Sequence, residues 1–286
     1  MAAIGEGLGL SPAGSVERTP LVVVFDIRLS RVILSFLVGS ALGVAGAVFQ
    51  GVLRNPLADP FTIGVASGAA FGAALAFALG LGGASYLGLG TIPLLALVGA
   101  LGALALVVML GRVQGRLRRD TLVLAGIVVA TFLSALIALI KALDEEAVSA
   151  IVFWVMGSFQ GRGWIHVAFS LPYLLLGLYL VVKCARELDI LTLGEVQARQ
   201  LGVEVERVRR RLLVGGSLLT AAAVSVSGVI GFVGLVVPHL VRMTMGAAHQ
   251  RLMVISGLLG GLALLWSDVV SRTLLPGGEE LPVGVV

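Results

Sequence analysis

Ile92-Pro-Leu-Leu-Ala-Leu-Val-Gly-Ala-Leu-Gly-Ala-Leu-Ala-Leu-Val-Val-Met-Leu110 runs without a charge and is followed at once by Arg112, Arg116, Arg118 and Arg119. A helix needs about 20 apolar residues to cross the hydrocarbon of a bilayer, and this run has that length. Comparable runs fall at Val32–Phe49, Phe61–Leu81, Leu122–Ile140, Val167–Val182, Leu212–Ser227 and Met253–Leu265. The last continues past Asp268 to Leu275, and a further run opens at Leu281 and stops at Val286. The chain is 58% hydrophobic and 13% charged, against about 25% charged in a soluble domain. Its mean hydropathy is +1.06. These runs predict an all-α, polytopic transmembrane helical bundle.

Arginine placement orients the bundle, because positive charge gathers in cytoplasmic loops. The Arg112–Arg119 segment and the segment holding Lys183, Arg186, Arg199, Arg207, Arg209, Arg210 and Arg211 are both expected inside. The connection Lys141–Gly163, with Asp144-Glu145-Glu146, then lies outside. Within it Glu146–Ser158 reads as a short outer helix, with Trp154 and Trp164 as interfacial anchors. Counting back two spans puts Arg54–Pro60 inside and Arg28 and Arg31 outside. Arg211 and Arg242 both belong inside, yet only 30 residues separate them, where two full helices need about 40. The spacing therefore predicts a span to about Ser227, a break, and a half-helix over Gly228–His239. Broken backbone at membrane depth survives only when buried in protein or lining a cavity, so Gly231, Gly234, Pro238 and His239 are candidate pathway residues. Asn55 and Pro56, in the inner turn, are candidate gate residues.

Several chemistries are excluded or left unsupported. The basic balance of +4 is spread over many loops and forms no nucleic-acid patch. No phosphate loop of the G-x-x-x-x-G-K-[ST] type occurs, and the lysines, Lys141 and Lys183, sit in no such setting. His166, His239 and His249 are dispersed, and a single Cys184 makes no disulfide framework or cysteine metal site. We expect no catalytic residues, metal or cofactor. The first 27 residues contain only a short apolar cluster, Leu21 to Phe25, too short for a signal-peptide core. Charge within the spans is scarce. The clear case, Asp268, stands four residues before Arg272, a spacing that favours a local ion pair. That scarcity favours transport powered from outside the bundle over an ion-coupled carrier. Residues 185–211 are too long and too patterned for a turn. Leu193–Gly202 reads as a short helix closed by Gly202, with a second over Glu204–Arg210. So short a pair gains little stability alone, which points to a docking surface for a separate protein.

The resemblance lies in Arg28-Leu-Ser-Arg31, Gly46-Ala-Val-Phe-Gln50, Asn55-Pro-Leu-Ala-Asp-Pro60, Gly64-Val-Ala-Ser-Gly68, Leu193-Gly-Glu-Val-Gln-Ala-Arg-Gln-Leu-Gly202, Gly231-Phe-Val-Gly-Leu-Val-Val-Pro-His239 and Glu280-Leu-Pro-Val-Gly284. In this order they make the chain, from Arg28 onward, similar to the permease subunits of type II ABC importers for iron–siderophore complexes, haem and vitamin B12. The resemblance implies one permease domain over residues 1–286, with cytoplasmic coupling helices at 185–211. It implies a homodimer in a bacterial or archaeal cytoplasmic membrane, two copies of an ATP-binding subunit, and a periplasmic or lipoprotein substrate-binding protein. By the same resemblance Leu193, Gly194, Glu195, Ala198, Arg199, Leu201 and Gly202 would meet the ATPase. Arg28, Arg31 and Arg272 would receive acidic residues of the binding protein. The family usually reads Arg-Leu-Pro-Arg, where this chain has Ser30. Family members have ten spans; eight or nine are expected here, with the first missing and the last cut short. A secondary transporter or channel, or a truncated inactive relative, are the alternatives to an importer subunit.

Overall fold

The computed structural model describes residues 18–86, 89–275 and 279–286. Residues 1–17, part of the stretch read above for a signal segment, lie outside that set.

The chain is a helical bundle whose longest element is one continuous helical stretch, Pro20–Leu53. It comprises a π-helical turn, Val23–Leu29, leading into α1, Ser30–Leu53. Then come α2 (Val65–Ala78), α3 (Thr91–Leu110), α4 (Arg119–Leu143), α5 (Glu145–Val155) and α6 (Trp164–Lys183). Two short helices follow, α7 (Ala185–Leu193) and α8 (Glu195–Gln200), and then α9 (Val205–Ser227), α10 (Val233–Met245) and α11 (His249–Thr273). Two-residue strands β1 (Ser85–Tyr86) and β2 (Leu89–Gly90) pair before α3, and β3 (Arg112–Val113) and β4 (Arg116–Leu117) pair between α3 and α4.

Among the described residues five helical stretches are long and apolar enough to cross a membrane: Pro20–Leu53, α3, α4, α6 and α11. The helix α9 has 23 residues, but its first two turns carry Glu206, Arg207, Arg209, Arg210 and Arg211. The helices α2 and α10 are apolar and short.

Three expectations change, and the Arg28–Arg31 block gains a conformation. The run Phe61–Leu81 is not one helix. Asp59 caps a 3₁₀ turn at Pro60–Ile63, Gly64 takes φ +76°, and only then does the 14-residue α2 begin. The Arg28–Arg31 block lies within a helix: the Ser30 hydroxyl donates back to the carbonyls of Asp26 and Ile27. A proline there would lack the backbone donor that the helix uses. The run from Leu281 starts no span among the described residues. It folds back instead, Leu281 N–H donating to Ser271 O at 3.1 Å, and ends in a single turn at Val283–Val285. Trp154 is buried rather than interfacial, whereas Trp164 is 40% exposed and its indole donates to Phe25 O.

The backbone does break after Ser227. Gly228 takes φ +75° and the helix resumes at Val233, five residues into the stretch assigned to the half-helix. The break is covered by the end of α5, where Ser158 N–H donates to Ser227 O at 2.8 Å and Trp154 O lies where a side chain at Gly228 would go. The start of the break is thus buried in protein, whereas Phe232 at its end is 75% exposed.

The helix α1 is the central element, buried along most of its length by α11, α9, α10 and α6. Two glycine contacts set how closely its neighbours come. A Cβ on Gly39 would lie 2.2 Å from Gly260 O of α11, and one on Gly46 only 1.8 Å from Gly234 O of α10. Lipid offers no hydrophobic drive for helix association, so such backbone approaches take its place.

Candidate functional site

One end of the bundle carries α7 and α8. They are separated by Gly194, whose φ of +142° is a conformation other residues avoid. The predicted single helix Leu193–Gly202 is therefore two pieces joined at that residue. The predicted second helix, Glu204–Arg210, is the first turns of α9, since nothing in the sequence interrupts the helix at Leu212. Leu193, Val196 and Leu201 are exposed at 65%, 66% and 61%, whereas Ala198 is fully buried and seats α8 on the bundle. Gly202 ends that unit in the left-handed region, φ +80°. Arg199 is half-exposed and pairs loosely with Glu195, 3.8 Å away.

The unit is tied down by basic side chains from three long helices. Arg209 of α9 is buried and reaches both Glu195 and the Leu117 carbonyl of β4, while Glu206 accepts from Leu117 N–H at 3.1 Å. Burial opposes ionisation of Glu195, but the hydrogen bond and charge of Arg209 outweigh it and hold the carboxyl below its ordinary value. The clasp is thus complete at neutral pH and is lost as pH falls through that depressed value. Arg54, after α1, donates to Leu191 O. His249, the first residue of α11, donates its backbone N–H to Asp189 Oδ1 of α7 at 2.9 Å, and its Nδ1 lies 2.6 Å from the same oxygen.

At the opposite end Arg28, Arg31, Arg272 and Glu280, with Ile27, Val269 and Thr273, line a cavity of about 460 Å³. Arg28 is exposed. Arg31 is buried and doubly paired: Nη2 lies 2.7 Å from Asp268 Oδ1, and Nη1 lies 2.8 Å from Glu280 Oε2. Arg272 completes the network, 3.1 Å from Asp268 Oδ2, so the i, i+4 pair read from the sequence exists inside a larger cluster. Arg31 is therefore not a free cation awaiting a partner. Its charge is used within the chain; Arg272 is also paired but 23% exposed, and Arg28 is the exposed cation of the pocket.

The family model of the FecCD transport family matches residues 7–286. The chain belongs to the FecCD transport family. The match begins before Arg28, upstream of where the motifs placed it. Relatives include an uncharacterized ABC transporter permease protein YvrB of Bacillus subtilis, 45% identical over 98% of this chain and 79% of that protein. The cobalamin import permease BtuC of Halobacterium salinarum is 40% identical over 95% and 71%. The hemin transport permease HmuU of Yersinia pestis is 40% identical over 91% and 78%. Among solved structures, a metal-chelate type ABC transporter in an inward-facing conformation matches with TM-score 0.84 and 35% identity, over 99% of this chain and 90% of that one. The chain is an all-α membrane permease of the ABC importer class.

In this permease the two candidate gate segments meet. A Cβ on Gly234 would lie 2.6 Å from Pro60 Cγ, so α10 packs on the turn that follows α1. Asn55 and Pro56 are exposed in that turn, where Asn55 Oδ1 accepts from Leu57 N–H at 3.0 Å. Pro238 is buried inside α10, Gly231 faces open space in the break, and the Nδ1 of His239 is buried without a partner among the described residues. The sequence reading missed Gln50, whose buried amide donates to Leu235 O at 3.0 Å and joins α1 to α10. It also missed Asp189, Arg209 and Arg54. These looked like ordinary loop charges, and their partners lie 60, 92 and 137 residues away. Among the described residues no group of three or more His, Cys, Asp or Glu side chains could hold a metal ion.

Proposed function

We propose that this permease carries a metal chelate or metal-bearing cofactor, an iron complex, haem or corrinoid, across a bacterial or archaeal cytoplasmic membrane. It works as a dimer of two copies, powered by two ATP-binding subunits and supplied by a substrate-binding protein. The named substrates of its relatives support this class: cobalamin, hemin and iron(III) dicitrate. A molybdate permease of Haemophilus influenzae at 36% identity marks the breadth of the group. The observation that carries the reading is the α7–α8 unit. Three exposed apolar side chains, Leu193, Val196 and Leu201, stand on a small platform clasped by α1, α9 and α11. Such a platform suits a rigid handle gripped by another protein. The partner drives transport only by binding one conformation of the permease better than the other.

The experiment is co-purification with the partner ATPase, followed by uptake in vesicles supplied with ATP and the binding protein. Val196→Asp is expected to weaken ATPase retention by about 10-fold or more, since burying such a side chain is worth about 1.5–3 kcal/mol. Because Val196 is exposed, folding of the isolated permease should not change. Transport that proceeds with no nucleotide consumed would refute the reading.

At the arginine pocket, Arg28→Glu is expected to slow capture of the binding protein, most at low salt, since exposed charges act chiefly on encounter rate. Surface-immobilised permease and flowing binding protein give that rate directly. An association rate unchanged at low ionic strength would remove Arg28 from the docking surface.

A further inference from the structure

The pocket and the coupling unit are held by the same two helices. The pocket's arginines come from the Pro20–Leu53 stretch and α11, Arg28 and Arg31 from the first and Arg272 from the second. At the other end α7 is tied to the same pair, by Arg54 to Leu191 O and by His249 to Asp189. Between the ends α1 and α11 touch backbone to backbone. A Cβ on Gly43 would lie 2.2 Å from Ser256 O, and one on Gly260 only 2.5 Å from Gly39 O. Near the pocket Arg31 and Asp268 lock the pair again. The 25-residue α11 contains no proline. At 1.5 Å per residue it is a rod about 37 Å long, more than the hydrocarbon thickness.

We infer that α1 and α11 form one strut that transmits force between the two docking surfaces, and that Asp189 and His249 are the positioning residues fastening α7 to it. This rests on the function proposed above. Asp189 belongs to the coupling unit, yet its carboxylate caps the first turn of a different helix. A cap of that kind satisfies backbone donors that would otherwise be orphaned, so any tilt of α7 must either carry α11 with it or break the cap. The imidazole of His249 is 1% exposed and wedged where a side chain at Gly51 of α1 would sit, 2.5 Å from that Cβ position. The ring therefore reads the positions of α1, α7 and α11 together. Because close-packed elements hold discrete arrangements and do not deform continuously, displacement at α7 arrives at Arg28 and Arg272 as movement of the whole pair.

The test uses the assembled transporter, permease with ATPase and binding protein, in lipid nanodiscs. Binding-protein affinity is measured without nucleotide and with a non-hydrolysable ATP analogue. The wild-type ratio is expected within the range of about 5–150-fold usual for coupled sites. Asp189→Ala should bring that ratio to within about twofold of one, the limit at which independent sites are resolved, with ATPase still retained on the permease. Asp189→Asn keeps an acceptor for the α11 N–H and should restore most of the ratio, which loss of packing alone would not do. A wild-type ratio persisting in Asp189→Ala overturns the strut and leaves the functional reading intact. A wild-type sample that retains no ATPase, or shows no nucleotide dependence, overturns the functional reading itself and the strut with it. Should Asp189→Ala not assemble, His249→Gln, which removes the wedged ring and keeps the backbone cap, carries the same comparison: collapse of the ratio supports the strut, and persistence overturns it.

Discussion

Asp268→Ala is expected to destabilise the purified permease by about 3 kcal/mol, the lower end of what removing one member of a buried ion pair costs. Asp268 is 1% exposed and faces two guanidinium groups, Arg31 at 2.7 Å and Arg272 at 3.1 Å. The loss of attraction is the smaller part. The larger part is that Arg31, itself buried, would keep a positive charge with three of its five side-chain hydrogen bonds unmade. Glu280 remains 2.8 Å away and takes up some of that charge, which is why the lower end of the range is expected. Arg272 is partly exposed and can turn toward water. At about 2–4 °C per kcal/mol for a chain near this size, the apparent melting midpoint in detergent should fall by roughly 6–12 °C at a fixed scan rate. Membrane proteins commonly unfold irreversibly, so wild type and variant must be scanned identically. The double variant Arg31→Met with Asp268→Leu should recover most of the loss, because an apolar pair of similar volume carries no desolvation penalty. A midpoint unchanged in Asp268→Ala would mean that Arg31 is held by Glu280 alone, and a double variant no better than the single would mean that shape, not charge, is what Asp268 supplies.

That cluster also shows where the sequence is legible and where it stops. Apolar runs report the solvent directly, so α3, α4 and α6 could be placed within a few residues from hydropathy. The break after Ser227 followed from counting residues between two arginines. The Asp268–Arg272 pair was visible because helical neighbours are four residues apart. Arg31 stands 237 residues from Asp268, and no local rule links them. Its charge was therefore read as facing outward toward a partner, when tertiary packing had already matched it. The same limit hid Asp189 with His249 and Arg209 with Leu117. The Phe61–Leu81 run failed for a different reason. Its composition suits a span, but Asp59 and the left-handed Gly64 act through geometry, to which hydropathy is blind.

Gly46→Ala and Gly102→Ala are expected to give opposite signs for one substitution. At Gly46 a Cβ would lie 1.8 Å from Gly234 O, and the clashing atom belongs to backbone, which cannot rotate aside. α1 and α10 must then part. The Gln50 amide, one turn along α1, donates to Leu235 O beside that contact and would be stretched or lost. Overpacking costs about 1–3 kcal/mol, and a buried amide left without its acceptor about 1–3 more, so a loss of roughly 2–6 kcal/mol is expected. Since Gly234, Pro238 and His239 lie on the displaced helix, transport should fall further than ATPase retention does, because the hydrogen bonds that clasp α7 and α8 come from α1, α9 and α11. Gly102, on the exposed face of α3, has no atom within 4 Å of its Cβ position. Alanine there should raise stability by about 0.5–1 kcal/mol through helix propensity alone. Thermal midpoints of the two single variants, taken in the same detergent, decide the matter. If Gly46→Ala melts with the wild type, α10 is free to slide along α1, and the close approach at Gly234 is not what holds the broken helix in place.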